Sequence, residues 1–274
     1  MIIGIIIAVA AVAVLWLLMI MPRMKHPSVI YSLCANKFAH RGLYDNDSIP
    51  ENSMAAFRKA IECGYAFEFD VHLTKDDDVV VFHDYSLDRI CGDSRKIEDT
   101  DFADLKDMKL LGTDQGIPSF EEVLAEADGR VPLLIEIKAT FQNYSRLCER
   151  TSEILKNYNG EYCIESFDPR VIYWFRKNRP DCVRGQLSGY INKHGDYHDD
   201  NGKKLNPAGD FFLRNLLVNF IGKPDFIAYR ESDRKNISLR LCKKLFKPPV
   251  FYWTLDTDSY DDLEENDTII FERR

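Results

Sequence analysis

The stretch Ala66-Phe67-Glu68-Phe69-Asp70-Val71-His72-Leu73 alternates apolar and polar side chains, the pattern of a β-strand with two different faces. Glu68, Asp70 and His72 fall on one face, and the four apolar side chains that separate them fall on the other. Only residues 74–78 separate this strand from the next apolar run, Val79–His83, whereas a parallel crossover needs a dozen or more residues. We therefore expect Val79–His83 to turn back as a hairpin, which carries His83 to the level of Asp70.

Further apolar runs alternate with helical patterns along the rest of the chain, as is typical of parallel βα units. The runs are Lys37–His40, Leu133–Lys138, Tyr162–Ser166, Val183–Leu187, Asp225–Tyr229, Val250–Leu255 and Thr268–Phe271. Helix starts are predicted at Ser53, at the capping box Ser119-x-x-Glu122 and at Asp168-Pro169. Eight parallel strands with helices between them predict a (β/α)₈ TIM barrel, whose chemistry lies at the carboxyl ends of the strands.

The first residues of the chain predict a membrane anchor. Met1–Met21 has no charged side chain, and about 20 helical residues reach about 30 Å, the thickness of a bilayer core. The run lacks the basic flank and the small-residue cleavage site of a secretory signal. We expect an uncleaved single transmembrane helix over residues 1–22, a juxtamembrane linker over 23–36 and the barrel domain over 37–274.

The charges that follow the apolar run bear on its orientation. Arg23, Lys25 and Lys37 all lie after the span, so the positive-inside rule favours a single-pass protein of the cell membrane with a cytoplasmic catalytic domain. The chain has seven cysteines, an odd number without regular spacing, which fits reduced thiols. The net charge of −8 argues against nucleic acid as a partner. The sequence leaves the oligomeric state open.

Residues 189–222 interrupt the βα pattern. The segment is polar from Gly189 to Asp210 and becomes apolar over Phe211–Ile221. We interpret it as a long loop on the active-site face followed by an amphipathic helix. A lid or a membrane-touching element is the alternative interpretation.

Carboxylates on the inner face of the predicted barrel indicate a metal site. Helices cover the outer face of a barrel, so Glu68 and Asp70 point inward, and Glu136 joins them from Leu134-Ile-Glu136-Ile-Lys138. Facing carboxylates repel each other, and a hard divalent cation, Ca²⁺ or Mg²⁺, would relieve the repulsion. A salt bridge of Lys138 with Glu68 or Glu136, without any metal, is the alternative.

Two histidines supply acid–base chemistry. His40 ends the first strand beside Arg41, and His83 ends the hairpin beside Asp84, which we expect to orient a neighbouring loop. An imidazole titrates near neutral pH, so a pair can act as acid and base in one turnover. Arg41 can clamp phosphate oxygens, and Lys138 can add a point charge. This combination suits the cleavage of a phosphodiester.

The ordered motifs of the chain resemble those of the glycerophosphodiester phosphodiesterase family. They are His40-Arg41-Gly42, Pro50-Glu51-Asn52-Ser53, Glu68-Phe-Asp70-Val71-x-x-Thr74-Lys-Asp76, His83-Asp84, Glu136-Ile-Lys138, Ser166-Phe167 and Trp253-Thr254. The resemblance, to a membrane-anchored bacterial-type member, implies a TIM barrel of the phospholipase C-like phosphodiesterase type. It also implies a cation-dependent hydrolase that acts on a small-molecule glycerophosphodiester and releases an alcohol and sn-glycerol 3-phosphate.

The resemblance also implies residue roles. By position, the metal ligands would be Glu68, Asp70 and Glu136, the acid–base pair His40 and His83, and the substrate-binding residues Arg41, Lys138, Glu51, Asn52 and Trp253, the last as a wall beside the glycerol. Family members are thought to proceed through a cyclic phosphate that water then opens. The chain departs from the family pattern at Asp78, at Asp256 and at Phe271-Glu-Arg-Arg274, and the last two departures bear on leaving-group specificity.

Two other functions compete with this one. A lysophospholipase D on the same barrel would use the membrane anchor to reach lysophospholipids. A non-catalytic module would keep the fold and bind glycerophosphodiesters without turnover, although a retired site usually loses some of its reactive residues.

Overall fold

Eight parallel strands close into a barrel with helices outside it, which confirms the predicted fold. The computed structural model describes residues 1–195 and 203–273. Its strands are β1 Phe38–Ala39, β2 Ala66–Leu73, β3 Val79–Val81, β4 Leu133–Ile137, β5 Tyr162–Ser166, β6 Arg184–Ser188, β7 Phe226–Arg230, β8 Val250–Leu255 and β9 Thr268–Phe271. β1 pairs in parallel with both β2 and β9, which closes the ring, and β3 pairs antiparallel with β2 as the predicted hairpin.

Helices follow most of the strands. They are α1 Ile2–Ile20, α2 Val29–Cys34, α3 Met54–Glu62, α4 Asp88–Cys91, α5 Phe102–Lys106, α6 Phe120–Ala127, α7 Tyr144–Leu155, α8 Pro169–Asn178, α9 Ile191–His194, α10 Pro207–Arg214, α11 Asn219–Gly222 and α12 Ile237–Phe246. All three predicted helix starts are confirmed. The Ser53 side chain accepts from the Ala56 amide, Ser119 forms both halves of a capping box with Glu122, and Asp168 accepts from the Arg170 amide.

The core has a layer outside the barrel and a layer inside it. Outside, the apolar face of β2 packs on the helices, where the Phe57 and Phe67 rings stack at 4.8 Å. Inside, the Phe226 and Phe251 rings stack at 4.1 Å near the amino ends of the strands. Gly185 makes room for this stack, because a Cβ at that position would lie 2.2 Å from the Phe226 ring.

Residues 23–36 lie against the amino-terminal end of the barrel. The Arg23 amide donates to the Pro224 carbonyl (2.9 Å), and α2 inserts the fully buried side chains of Ile30 and Leu33 among those that fill the barrel interior. The helix therefore closes the end of the barrel opposite the carboxyl ends of the strands.

Helix α1 packs on the barrel only through its last turns. Residues 1–15 are exposed, whereas Ile20 is fully buried. The Trp16 indole donates to the Ser238 hydroxyl (3.3 Å), and the Asn219 side-chain amide donates to the Ile20 carbonyl (3.0 Å). By length and composition, α1 is the one helix in the described residues that could span a membrane.

The segment after β6 differs from the predicted loop and single helix. Residues 196–202 lie outside the described residues. The apolar part forms two short helices, α10 and α11, because the backbone turns at Leu216, whose φ of 59° is not helical. Ser188 at the end of β6 donates to the Leu213 carbonyl (2.7 Å), which fixes α10 at the carboxyl end of the barrel.

Candidate active site

A cavity of about 530 Å³ opens at the carboxyl ends of the strands. All nine strands supply its walls directly or through the residues that follow them. The lining residues include His40, Arg41, Glu68, His83, Glu136, Lys138, Glu165, Phe167, Arg230, Trp253 and Glu272. The structure therefore brings together both predicted acid–base histidines, two of the three predicted metal ligands and three of the five predicted substrate-binding residues.

The three predicted metal ligands form a compact cluster. Glu68, Asp70 and Glu136 each offer an oxygen within 4.8 Å of the others, and all three are buried. Lys138 is the nearest cation, with its Nζ 3.2 Å from Asp70 and 2.9 Å from Glu136. The sequence left a salt bridge of Lys138 with Glu68 or with Glu136 as an alternative to a metal, and the pair with Glu136 is present.

Two cations, Lys138 and Arg41, whose Nε lies 3.8 Å from Asp70 Oδ2, leave the acidic cluster short of positive charge. Glu165, a fourth buried carboxylate, lines the same cavity. Glu68 Oε1 and Glu165 Oε2 are buried without a hydrogen-bond partner, and Asp70 Oδ1 has only its ion pair with Lys138 (3.2 Å). Hard oxygen donors that converge in this way without partners fit Ca²⁺ or Mg²⁺.

The pKa values of Glu68 and Glu136 reflect the same shortage of positive charge, whereas the pKa of Asp70 does not. Burial and the neighbouring Asp70 and Glu136 raise the pKa of Glu68 well above its ordinary value. Burial also raises the pKa of Glu136 to about 7, although Lys138 opposes the shift. Burial would raise the pKa of Asp70 too, but the positive charges of Lys138 and Arg41 outweigh it, so that this pKa is lowered.

His40 is held by a carboxylate from the last segment of the chain. Its Nδ1 lies 2.7 Å from Glu272 Oε1, and its Nε2 lies 3.9 Å from Glu68 Oε2. An ionised carboxylate can only accept, so Nδ1 donates and Nε2 keeps its lone pair toward the cavity. Burial and the adjacent Arg41 lower the pKa of His40, which favours the neutral ring.

His83 has a matching arrangement. Its Nδ1 donates to Asp84 Oδ1 (2.6 Å), and Arg89 holds the Asp84 carboxylate through Nε (2.6 Å). Asp84 therefore orients the imidazole itself, rather than only a loop. Burial and the charges of Arg41 and Lys138 lower the pKa of His83 to about 3, so its ring is also neutral.

Arg41 is positioned by the backbone turn after β1 and by the carboxylate of Glu51. Its φ of 54° and the φ of 79° at Gly42 turn the chain sharply after β1, and a Cβ on Gly42 would lie 2.8 Å from Ala56. The Arg41 guanidinium donates to Glu51 Oε1 (2.6 Å), and Arg89 donates to both oxygens of the same carboxylate (2.7 and 3.0 Å).

Glu51 and Asn52 lie behind the cavity rather than on its wall. Asn52 Nδ2 donates to Asp70 Oδ2 (2.8 Å), and Glu51 joins Arg41 to Arg89. Their contacts support a role in positioning Asp70 and Arg41. Their direct contact with substrate remains a prediction.

The apolar side of the cavity contains Trp253. Phe167 packs edge-on against its ring at 5.6 Å, and the Arg230 guanidinium lies 4.5 Å above it. Sequence reasoning missed Arg230 and also Glu165, Arg89 and Glu272. Arg230 and Glu165 could have been found, because each lies at or near the end of a predicted strand. Glu272 could have been found on the same ground, because it directly follows the predicted strand Thr268–Phe271, whereas Arg89 carries no comparable signal.

Comparisons with known proteins agree with this geometry. The model of the glycerophosphoryl diester phosphodiesterase family matches residues 40–265. An uncharacterized Bacillus subtilis protein, YqiK, is 37% identical over 222 residues, which is 73% of this chain and 89% of that protein. The rat lysophospholipase D GDPD1 is 32% identical over 157 residues, which is 51% of this chain and 48% of that enzyme, so the match spans about half of that relative.

Solved structures share the fold. A Thermotoga maritima glycerophosphodiester phosphodiesterase superposes with a TM-score of 0.64 at 25% identity, over 90% of this chain and 96% of that one. An Oleispira antarctica phosphodiesterase, solved with the product sn-glycerol-3-phosphate, superposes with a TM-score of 0.68 at 20% identity, over 88% and 94% of the two chains.

Proposed function

The chain belongs to the glycerophosphoryl diester phosphodiesterase family and is a phosphoric diester hydrolase, and from that premise we propose a specific reaction. The enzyme hydrolyses a glycerophosphodiester to an alcohol and sn-glycerol 3-phosphate, with a divalent cation and with His40 and His83 as the acid–base pair. One observation carries the proposal: both imidazoles, the acidic cluster and the basic side chains of Arg41 and Lys138 meet at one cavity.

Glu68, Asp70 and Glu136 would hold the cation, Ca²⁺ or Mg²⁺, with Glu165 beside them. When bound, the ion would neutralise these carboxylates and stabilise negative charge on the phosphoryl oxygens. Lys138 lies at the edge of the cluster, so that its ammonium can contact a phosphoryl oxygen while still pairing with Glu136 (2.9 Å). Arg41, fixed by Glu51, would bind another phosphoryl oxygen.

The two histidines would transfer protons through their Nε2 atoms. One imidazole would take the proton of the glycerol 2-hydroxyl as that oxygen attacks phosphorus, and the other would give a proton to the departing alcohol. Water would then open the cyclic phosphate. In that step the imidazole that protonated the alcohol takes a proton from the water, and the other imidazole returns its proton to the glycerol 2-oxygen. The carboxylates of Glu272 and Asp84 would stabilise each imidazolium as it forms.

The negative charge of the substrate would allow one of the two neutral imidazoles to take up the proton that an acid needs. The positive charges of Arg41 and Lys138 help to hold the pKa of His83 at about 3, and Arg41 also lowers the pKa of His40. An anionic phosphodiester in the cavity offsets those charges, so binding would raise the pKa of each imidazole toward the working pH.

The test is release of glycerol 3-phosphate from glycerophosphocholine by the purified full-length chain in detergent, with Ca²⁺, with Mg²⁺ or with a chelator. We expect turnover only with a cation. His40→Ala and His83→Ala should each lose roughly 100-fold or more in kcat. His26→Ala is the matched control, because His26 lies outside the cavity near Asp225 (3.7 Å) and should retain activity. Substrate binding without turnover by the unmodified chain would favour the non-catalytic module.

A lysophospholipase D activity is the second candidate, and helix α1 is the observation that favours it. We propose that α1 anchors the enzyme in the cell membrane with the barrel on the cytoplasmic side. Comparison of kcat/KM on glycerophosphocholine and on lysophosphatidylcholine separates the two activities. Turnover of the lipid alone would overturn our first choice.

A further inference from the structure

The contacts of α1 fix the direction in which it leaves the barrel. Trp16 contacts Ser238, in the first turn of α12, which follows the carboxyl end of β7. One turn later, the Cys242 thiol contacts the Ile20 carbonyl (3.3 Å). The Lys223 ammonium then donates to the Met21 carbonyl (2.9 Å), close to the amino end of β7. From residue 16 to residue 21, the chain therefore descends from the mouth of the cavity toward the opposite end of the barrel.

A straight helix with this direction carries its exposed part out beyond the mouth. Residues 2–15 extend about 21 Å at ~1.5 Å per residue, which is about 9 Å less than a bilayer core of ~30 Å. Because Trp16 and Ile20 already contact the barrel, no flexible linker can add to that reach. For α1 to span the membrane, the mouth of the barrel must come close to the membrane surface.

Exposed apolar side chains surround the same mouth. After α1, the two most exposed large apolar side chains among the described residues are Phe141 (79%) and Ile237 (71%). Phe141 follows β4, and Ile237 is the first residue of α12, after β7. Phe211 and Phe212, both more than 40% exposed, lie on α10, which the Tyr229 hydroxyl and Ser188 bind to the carboxyl ends of β7 and β6.

We call these four residues, Phe141, Phe211, Phe212 and Ile237, the rim. Each belongs to a segment that follows the carboxyl end of a strand, and together they lie on the side of the barrel toward which α1 projects. The opposite end of the barrel also carries exposed apolar side chains, such as Tyr31 and Met24, so it is the direction of α1 that selects the rim as the interaction surface. The Trp16 indole, at the level of the rim, is the residue type that membrane interfaces favour.

We propose that the rim docks onto a phospholipid bilayer, so that the cavity opens toward the membrane. The inference rests on the anchor proposed above, and it adds the face of the barrel that meets the lipid. A substrate with an acyl chain could then enter the cavity without leaving the membrane, whereas a water-soluble diester would enter from the side.

The test measures the depth of single labelled cysteines in the full-length chain, reconstituted in phosphatidylcholine vesicles that contain nitroxide-labelled lipid. A fluorophore is attached at Phe141→Cys, at Ile237→Cys or, as the control, at Tyr31→Cys, in a Cys63→Ser background, with the signal of the background subtracted. Tyr31 is 57% exposed on α2, at the opposite end of the barrel. We expect strong quenching of the two rim probes and little quenching at position 31.

Equal and weak quenching at all three positions, or stronger quenching at position 31, would overturn the proposal. Release of the chain from the vesicles by alkaline carbonate would also overturn it, together with the anchor. Self-quenching of the Phe141 probe without any nitroxide would show that a second copy covers the rim, and it would likewise overturn the proposal.

Activity in the same vesicles separates this inference from the proposed reaction. Quenched rim probes on a chain that never releases glycerol 3-phosphate would overturn the reaction alone. Active enzyme with water-exposed probes would overturn the membrane-facing rim alone. We also expect Phe141→Ser with Ile237→Ser to lower turnover of vesicle-bound lysophosphatidylcholine roughly tenfold, with turnover of glycerophosphocholine unchanged.

Discussion

At the residue scale, the two histidines share one design from different parts of the chain. His83 takes its carboxylate from the next residue, Asp84, whereas His40 takes its carboxylate from Glu272, 232 positions away. Both pairs leave Nε2 facing the cavity. Because the carboxylates fix the tautomer and the ring plane, the residues that position the imidazoles deserve the same mutational tests as the imidazoles themselves.

Glu272→Gln tests the more distant of these pairs. In the proposed mechanism, loss of the charge removes the group that would stabilise the His40 imidazolium, so kcat should fall roughly 10- to 100-fold with KM nearly unchanged. Glu272→Asp should restore part of the rate. Glu264→Gln is the control, because its side chain is 72% exposed and pairs only at the surface with Lys243. A change in KM alone, or equal effects at both positions, would contradict the prediction.

Glu136→Gln tests the charge balance of the acidic cluster in metal-free protein. The folded chain holds the Glu136 proton up to a pKa of about 7, whereas the unfolded chain releases it near 4.5. The ionised form therefore destabilises the fold progressively as pH rises through this window. Glutamine removes that penalty, so the Tm difference between variant and unmodified protein should be larger at pH 8 than at pH 5 in EDTA. A constant difference would contradict the prediction.

At the scale of elements, the strands and helix starts could be predicted from local sequence patterns. Alternation in β2, the five-residue gap before β3 and the caps at Ser53 and Ser119 are short-range signals, and each of these predictions is confirmed. The break of the apolar run into α10 and α11 was not predictable, since it depends on contacts with β6 and β7 rather than on its own periodicity.

Ser119→Ala tests one of the caps. Loss of the side-chain bond to the Glu122 amide (3.1 Å) should lower the free energy of unfolding by about 1 kcal/mol, measured by urea denaturation. Ser28→Ala is the matched control, because Ser28 occupies the N-cap of α2 without a side-chain capping bond. Its substitution should change stability by much less. Equal losses would show that the cap does not act through its hydroxyl.

At the scale of the whole molecule, the sequence indicated which residues converge but not what holds them. Glu68, Asp70, Glu136, His40 and His83 were predictable because each lies on or at the end of a strand that a barrel brings to one face. Glu51 and Asn52 were expected to bind substrate; they lie behind the cavity, where they contact Arg41 and Asp70, and their direct contact with substrate stays a prediction. Contacts between distant segments, such as Glu272 with His40, depend on barrel closure, which no local pattern encodes.

Cation binding should be visible in the stability of the whole chain. If the acidic cluster holds Ca²⁺ or Mg²⁺, the ion binds only the folded state, so at 100 times its Kd it should add about 2.7 kcal/mol to the free energy of unfolding. Asp70→Asn should remove most of this response, whereas Asp93→Asn should keep it, because the Asp93 side chain is 30% exposed and pairs with Arg95. An unchanged response in Asp70→Asn would place the ion elsewhere.

The direct packing of α1 on the barrel has a mechanical consequence. A hydrocarbon layer that is thicker than a transmembrane helix is long must thin around that helix, at a cost that grows with the mismatch. If α1 spans a bilayer as proposed, Ile20 and Trp16 join it to α11 and α12 without a hinge, so α1 cannot gain length, and a thicker bilayer would draw the opening of the catalytic domain harder against the lipid. An enzyme built in this way would register bilayer thickness as a change in turnover, without any separate regulatory domain.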